Sequence, residues 1–264
     1  MKAFRVNFWM ILTLIVASIG FLILIYISSF HAAQLATETK TVQPLVVLDA
    51  GHGGEDGGAV GRSPVPEKVL NLTIAQKLEK KLTQSGCKVV MTRNSDVMLG
   101  DHSLSTLRER KASDIHKRFS ILQANPGCTF VSIHQNHFSN GIYSGAQVFY
   151  SKNNPQSSVL AEQIRKSIVS QVQHENKRKN KAATSSIYLL AHAKDPAVLV
   201  ECGFLSNDSE AQLLNNSQYQ QKIADAIASG ILQYLQSKNE HTASVPNGDL
   251  YSSDSSGIIS KKAG

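Results

Sequence analysis

The chain opens with a block unlike anything after it: from Val6 to Phe30 there is no charged residue, and residues 8–28 are almost wholly apolar. That is about the 20 residues a bilayer-spanning helix needs. Further on, short β-branched runs alternate with apolar residues at helical spacing. Val46-Val47-Leu48 reads as a buried strand that stops in the glycine-rich turn Gly51-His52-Gly53-Gly54. After Pro66, which the first turn of a helix tolerates, Leu70, Ile74, Leu78 and Leu82 recur every fourth residue up to Gly86. Residues 88–92 are the next strand. A loop to Ser105 precedes a basic helix reaching about Ala124, with Ala112, Ile115, Phe119 and Leu122 on one face. Residues 130–133 read as a third strand ending at His134, and residues 146–150 as a fourth. A helix over 157–174 aligns Leu160, Ile164, Ile168 and Val172, two short strands follow at 187–190 and 197–200, and a helix over 217–235 striped by Ile223, Ile227 and Ile231 closes the core.

Strands alternating with helices predict an α/β fold: one domain, a mostly parallel twisted sheet with helices on both faces, preceded by a transmembrane helix. The expected layout is a cytoplasmic start and anchor over residues 1–33, a polar tether over 34–43, the catalytic core over 44–237 and a disordered tail over 238–264, where Ser, Asn, Gly and Asp dominate. No internal repeat is present. Lys2 and Arg5 precede the apolar block and no Lys or Arg follows before Lys40, so the positive-inside rule places the core across the membrane from the cytoplasm. A cleaved signal peptide is the alternative. Its apolar region would be about 7–15 residues long and followed by a small-x-small site, and the stretch after Ser28 offers no clean Ala-x-Ala.

Charge adds a direction. The chain has 27 Lys and Arg against 20 Asp and Glu, a formal +7, which suits an anionic polymer or membrane surface. An extracytoplasmic core leaves nucleic acid out. Three cysteines, Cys87, Cys128 and Cys202, lie in apolar runs and read as small buried hydrophobes, not as a disulfide framework or a thiolate metal site. The basic run Lys177 to Lys181 reads as a solvated loop.

The candidate chemistry sits where strands end. In open parallel sheets the carboxyl ends of the strands form the ligand crevice, and three of them deliver His52, His134 and Glu201. Glu67, in the first turn of the helix after the glycine loop, can be carried to the same rim. Two imidazoles and one carboxylate make a catalytic zinc set with a fourth position left to water, whose pKa the metal lowers to about 7. A further carboxylate within reach would take the proton and return it to a leaving amine. Glu201 suits that role, since partial burial after an apolar run would raise its pKa. His137 is a ligand candidate on spacing from His134, although residues three apart do not share a strand face. Asp49, Glu55 and Asp56 either bind a second metal or shape the loop. Gly51-x-Gly53 after a strand faintly suggests a dinucleotide loop, but Pro64 and Pro66 interrupt the helix start such a loop needs.

Four blocks in order carry a resemblance: Leu48-Asp49-Ala50-Gly51-His52-Gly53-Gly54; Glu67 opening its helix; Ser132-Ile133-His134-Gln135-Asn136; and Val200-Glu201-Cys202-Gly203-Phe204-Leu205-Ser206-Asn207. Together they resemble the zinc-dependent N-acetylmuramoyl-L-alanine amidases (the amidase 3 family), over residues 44–235. The resemblance implies a Zn2+ held by His52, Glu67 and His134, with Glu201 as catalytic acid/base cleaving the amide between muramic acid and L-alanine in peptidoglycan. Asp49, Asn136 and His137 are further candidates for supporting or substrate-binding places. Leu107-Arg108-x-Arg110-Lys111-Ala112-x-Asp114, Ser144-Gly145-Ala146-Gln147-x-Phe149-Tyr150 and Ser186-Ile187-Tyr188-Leu189-Leu190 look most like the germination-specific amidases of spore-forming bacteria. That subgroup strips peptides from spore-cortex muramic acid on the way to muramic δ-lactam. Ala50, His137 and Ala191 depart from the family's habit, the last two near the site and bearing on substrate fit. A zinc peptidase on wall peptides and a non-catalytic wall-binding module are the rival expectations. A protein partner that completes the metal site, of unknown identity, is compatible with the resemblance.

Overall fold

The computed structural model describes residues 7–37, 43–59, 61 and 65–243, and the chain divides into two units, Met1–Gln43 and Pro44–Gly264. In the first unit, α1 (Phe8–Thr37) exposes its apolar side chains, Leu14, Phe21 and Leu24 among them. Within it, Trp9–Phe30 is the one stretch among the described residues long and apolar enough to cross a membrane. Lys2 and Arg5, the tether residues 38–42, Pro64 and the tail residues 244–264 lie outside the described residues.

The second unit runs β1 (Leu45–Ala50), α2 (Glu67–Gln84), β2 (Lys88–Met91), α3 (Leu107–Gln123), β3 (Thr129–Asn136), β4 (Gln147–Tyr150), α4 (Gln156–Gln171), β5 (Lys181–Ala182), α5 (Tyr188–His192), β6 (Ala197–Phe204), α6 (Asp208–Leu214) and α7 (Ser217–Ala243). One sheet in the order β2-β1-β3-β6-β4-β5 results. The first four strands of that order are mutually parallel, β4 is antiparallel to β6, and β5 is parallel to β4.

Strand side chains alternate between faces, and the sequence feeds both with apolar groups. Val46, Leu48 and Ala50 of β1, Val131 and Ile133 of β3, and Val198 and Val200 of β6 bury themselves against the stripes of α2, α4 and α7. On the other face Val47, Phe130 and Leu199 meet Leu122 of α3 and Leu189 and Leu190 of α5. That second layer is thin, so towards the carboxyl ends of the strands the sheet stays open to a ligand. Register lines up what it presents there: Asp49 pairs with Ser132, and His134 pairs with Glu201. Just beyond, His134 to Asn136 of β3 opposes Glu201 to Phe204 of β6, an advance of two residues against three. This β-bulge reverses the alternation and turns Phe204 to the same face as Glu201.

Four expectations need correction. Residues 187–190 are not a strand but the entry to helix α5; a four-residue apolar run has no period that separates the two states. The turn closes locally, with His192 Nδ1 2.9 Å from the Tyr188 carbonyl and the two rings stacked at 4.2 Å. The run Lys177 to Lys181 ends in edge strand β5, not wholly in loop. Helix α3 packs Ile115, Phe119 and Leu122 against the core as expected, but Ala112 is exposed and Asp114 and Arg118 are buried as well. The last helix continues to Ala243, past the expected start of a disordered tail. Helix α6 has no apolar stripe long enough to read; Asn207 caps it by accepting from Glu210 N at 3.1 Å. The three cysteines are free and buried, as expected.

Helices α4 and α7 touch through Gly230, where an added Cβ would stand 2.5 Å from Ile164 Cα and 2.8 Å from the Gln163 carbonyl oxygen. Backbone on both sides cannot yield cheaply. Gly230→Val is therefore expected to lower stability by about 1–3 kcal/mol, read as a lower thermal midpoint; an unchanged midpoint would mean the helices are not packed this closely.

Candidate metal centre

The glycine turn after β1 places His52 by backbone strain. His52 has φ of 63°, a left-handed conformation that costs a non-glycine residue about 1–3 kcal/mol, so the surroundings must hold it. Two buried arginines do so. Arg93 donates from Nε to the Ala50 carbonyl at 2.8 Å and from Nη2 to the Gly51 carbonyl at 2.9 Å. Arg118 donates from Nη1 to the Ala50 carbonyl at 2.8 Å and from Nη2 to the His52 carbonyl at 2.6 Å. Gly51 is required for another reason: a Cβ there would run into the His134 ring.

His52, Glu67 and His134 then converge, their ligating atoms all within 4.8 Å of one another. Glu67 Oε1 lies 3.3 Å from His52 Nε2 and 3.1 Å from His134 Nδ1. The rings meet edge-on, 4.9 Å between centroids. The carboxylate is fixed on all sides: Oε1 also accepts from Asn71 Nδ2 and the Gln135 backbone N–H, each at 3.1 Å, and Oε2 from the Ala59 N–H at 2.6 Å. Burial would raise the Glu67 carboxyl, but the two imidazoles outweigh it and hold the group well below the usual range. His52 Nδ1 contacts Asp56 Oδ2 at 2.7 Å, which orients the ring and leaves Nε2 facing inward. Asp56 in turn accepts from Lys111 Nζ at 2.8 Å. Burial works against the His52 cation, yet the Asp56 and Glu67 carboxylates push its pKa up to about 9.

The donor set fits a catalytic zinc: two imidazole nitrogens, one carboxylate oxygen and no thiolate. Among the described residues this is the one such group. Glu201 sits in register with His134 on the next strand, a strand spacing of about 5 Å away. Its Oε2 is buried with no hydrogen-bond partner among the described residues. Burial pushes its pKa up to about 7, against the pull of the nearby cations. A cleft of about 400 Å³ opens beside His52 and His134, floored by Phe130 and Leu199 and walled by Ile115 and Leu190.

Of the other residues singled out from sequence, none joins this cluster. Asp49 is buried beneath it, accepting from Arg118 Nη1 and Ser132 Oγ at 2.6 Å each and from Thr92 Oγ1 at 2.8 Å. Asn136 lies at the bulge, where its carbonyl accepts from the Leu205 N–H at 2.8 Å. His137 is exposed on the following loop. Glu55 pairs with Arg110 Nη2 at 2.6 Å, and Asp56 is bound to His52, so neither supplies a second metal site. Arg93 and Arg118 escaped sequence reading, as did the buried pairing of Asp114. A buried ion pair on α3 at positions i and i+4 looks from sequence like any solvated pair; here Arg118 Nε donates to Asp114 Oδ2 at 2.6 Å.

Residues 46–233 match the family described as N-acetylmuramoyl-L-alanine amidase. The germination-specific N-acetylmuramoyl-L-alanine amidase of Bacillus subtilis is 33% identical over 230 residues, covering 84% of this chain and 94% of that protein. Among solved structures, the CwlD amidase of Clostridioides difficile, in complex with the GerS lipoprotein, superposes with a TM-score of 0.71 at 39% identity, over 74% of this chain and all of that one. The amidase AmiC2 of Nostoc punctiforme gives a TM-score of 0.62 at 32% identity, over 73% of this chain and 97% of that one.

Asp49 offers a test of the support beneath the cluster. Burial alone would raise its carboxyl, but Arg118 and Ser132 bring it from 3.8 down to about 2. Its contribution to stability is therefore complete above pH 3.8 and is lost as the pH falls towards 2. Asp49→Asn, which strips Arg118 of one buried partner, is expected to cost about 3–5 kcal/mol at pH 7 and distinctly less at pH 3. Urea unfolding midpoints of the two proteins at both pH values check this; a gap that is the same at both would contradict it.

Proposed function

This chain belongs to the N-acetylmuramoyl-L-alanine amidase family, a hydrolase of peptidoglycan, and on that premise we propose a zinc-dependent mechanism with the roles that follow. His52, Glu67 and His134 hold the metal, and their convergence on Glu67 Oε1 is the observation that carries the reading. Zinc bound there would supply a Lewis acid for the scissile carbonyl and lower the pKa of a water towards about 7. Asp56 fixes the tautomer of His52, so that Nε2 and not Nδ1 would be the nitrogen left to hold the metal. Glu201 is the proton carrier. Its Oε2, unpaired and with an affinity near neutral pH, takes a proton from the attacking water as oxygen bonds to the carbonyl carbon. It returns that proton to the nitrogen as the carbon–nitrogen bond breaks, releasing the peptide as a free amine. Asp49, Asn136 and His137 serve the site from outside the ligand set: Asp49 through Arg118, which holds the His52 loop, and the other two at the rim where substrate enters.

The scissile bond joins the lactyl group of muramic acid to L-alanine. Likeness to a germination-specific amidase supports the spore cortex as the setting, with the peptide-free muramic acid passing on to muramic δ-lactam. The apolar helix at the amino terminus supports a core held on the outer side of the membrane by an uncleaved anchor. A membrane-associated protein partner is also proposed, since the C. difficile relative was solved with a lipoprotein.

Mass spectrometry of peptidoglycan digested by the zinc-loaded protein tests the bond: free L-alanine amino termini are expected, whereas cuts within the stem peptide would indicate a peptidase. Glu201→Gln is expected to keep full zinc content and lose about 10²–10⁴ in turnover; near-normal rates would remove Glu201 from the mechanism. His134→Ala is expected to lose zinc and activity together, and full metal occupancy in that variant would take His134 out of the ligand set.

A further inference from the structure

Past Glu201, on the side away from His134, the sheet continues into β4, and that wall holds a second unsatisfied polar group. Gln147 is the antiparallel register partner of Glu201, so their side chains share the site face. Gln147 is buried and its amide is held at both ends: Nε2 donates to the Lys179 carbonyl at 2.8 Å, and Oε1 accepts from Arg178 Nη2 at 2.6 Å. The Arg178 guanidinium lies over the Phe204 ring, 4.8 Å from its centroid. Phe204 reaches that position because of the β6 bulge. The Tyr143 ring lies tilted against Phe204, 6.2 Å between centroids. A planar cation held by an amide on one edge and a ring on one face has little freedom left.

Yet Arg178 Nε is buried without a hydrogen-bond partner among the described residues, as is Glu201 Oε2. The charge of Arg178 is felt both at Glu201 and at the buried Glu210, whose oxygens accept instead from the Gly145 and Phe204 N–H groups, and no ion pair joins Arg178 to either acid. The guanidinium lines a cavity of about 820 Å³ together with Gly145, Lys177 and Glu210, where an anion from outside the protein can reach it.

The direction of the reaction says which anion. Glu201 protonates the departing amine, so the peptide half of the substrate lies on the Glu201 side of the ligand cluster, along the β4 wall. The amine is that of L-alanine. The next stem residue in peptidoglycan is an acidic one linked through its side chain, which leaves its α-carboxyl either free or amidated. We infer that Arg178, braced by Gln147 and stacked on Phe204, binds the free α-carboxylate of the stem residue that follows L-alanine, and so makes the enzyme selective for unamidated peptides. This rests on the amidase reading with Glu201 as proton carrier.

Two muramoyl tripeptides that differ only in a carboxylate or a carboxamide at the second residue test it with the full-length, zinc-loaded chain. The wild type is expected to favour the carboxylate by about 10–100-fold in kcat/KM, the range of a charge-assisted hydrogen bond. Arg178→Gln is expected to abolish that preference by slowing the carboxylate substrate alone, with zinc content unchanged; Arg178→Lys should restore part of it. A wild type that cleaves both substrates equally would overturn the inference and leave the amidase reading intact, and needs no variant to show it. Equal losses on both substrates in Arg178→Gln would also overturn it. A wild type inert on both would sink the amidase reading and this inference with it.

Discussion

One carboxylate oxygen, Glu67 Oε1, faces both His52 and His134, and the arrangement of the core follows from bringing those three groups together. They come from the end of β1, the first turn of α2 and the body of β3, so no local interaction can assemble them. Parallel strands with crossover helices can, since every strand in such a sheet delivers its carboxyl end to the same rim. A buried acid has to be partnered, and Glu67 makes five polar contacts that hold it there.

Beneath the rim lies a second electrostatic layer that keeps the strained His52 loop in place. Arg118 bridges Asp49 of β1 to Asp114 of its own helix, and together with Arg93 it donates to the carbonyls of three successive residues, Ala50, Gly51 and His52. Buried arginines are an expensive way to stabilise a fold. Their use here is geometric, since a planar fork with several donors fixes a backbone where a hydrophobic contact would let it slide. The same logic recurs on the far wall, where Gln147 and Phe204 fix Arg178. Two carboxyls a short distance apart are thereby tuned in opposite directions: Glu67 strongly acidic between imidazoles, Glu201 raised to about 7 by burial.

Much of this was legible in the sequence. Apolar residues every fourth position marked α2, α4 and α7, and β-branched runs marked β1, β3 and β6, because burial of these elements is what the pattern records. His52, Glu67 and His134 stood out as strand-end or first-turn residues of ligating type, and the structure brings them together. What stayed hidden had no periodic signal. Helix α5 is too short for one, β5 is two residues long, and Arg118 and Asp114 look from sequence like a surface pair. Arg178 sits in a run of five polar or basic residues that reads as solvent-facing, and only the β6 bulge, which turns Phe204 over, shows why it is not.

The central claim is that a single metal ion sits between His52, Glu67 and His134. Anomalous diffraction from zinc-loaded crystals, collected on both sides of the zinc edge, tests it most directly. The account predicts one anomalous peak in the core, about 2.0–2.2 Å from His52 Nε2, His134 Nδ1 and a Glu67 oxygen. A peak elsewhere, or zinc bound with any of those three side chains turned away from it, would contradict it.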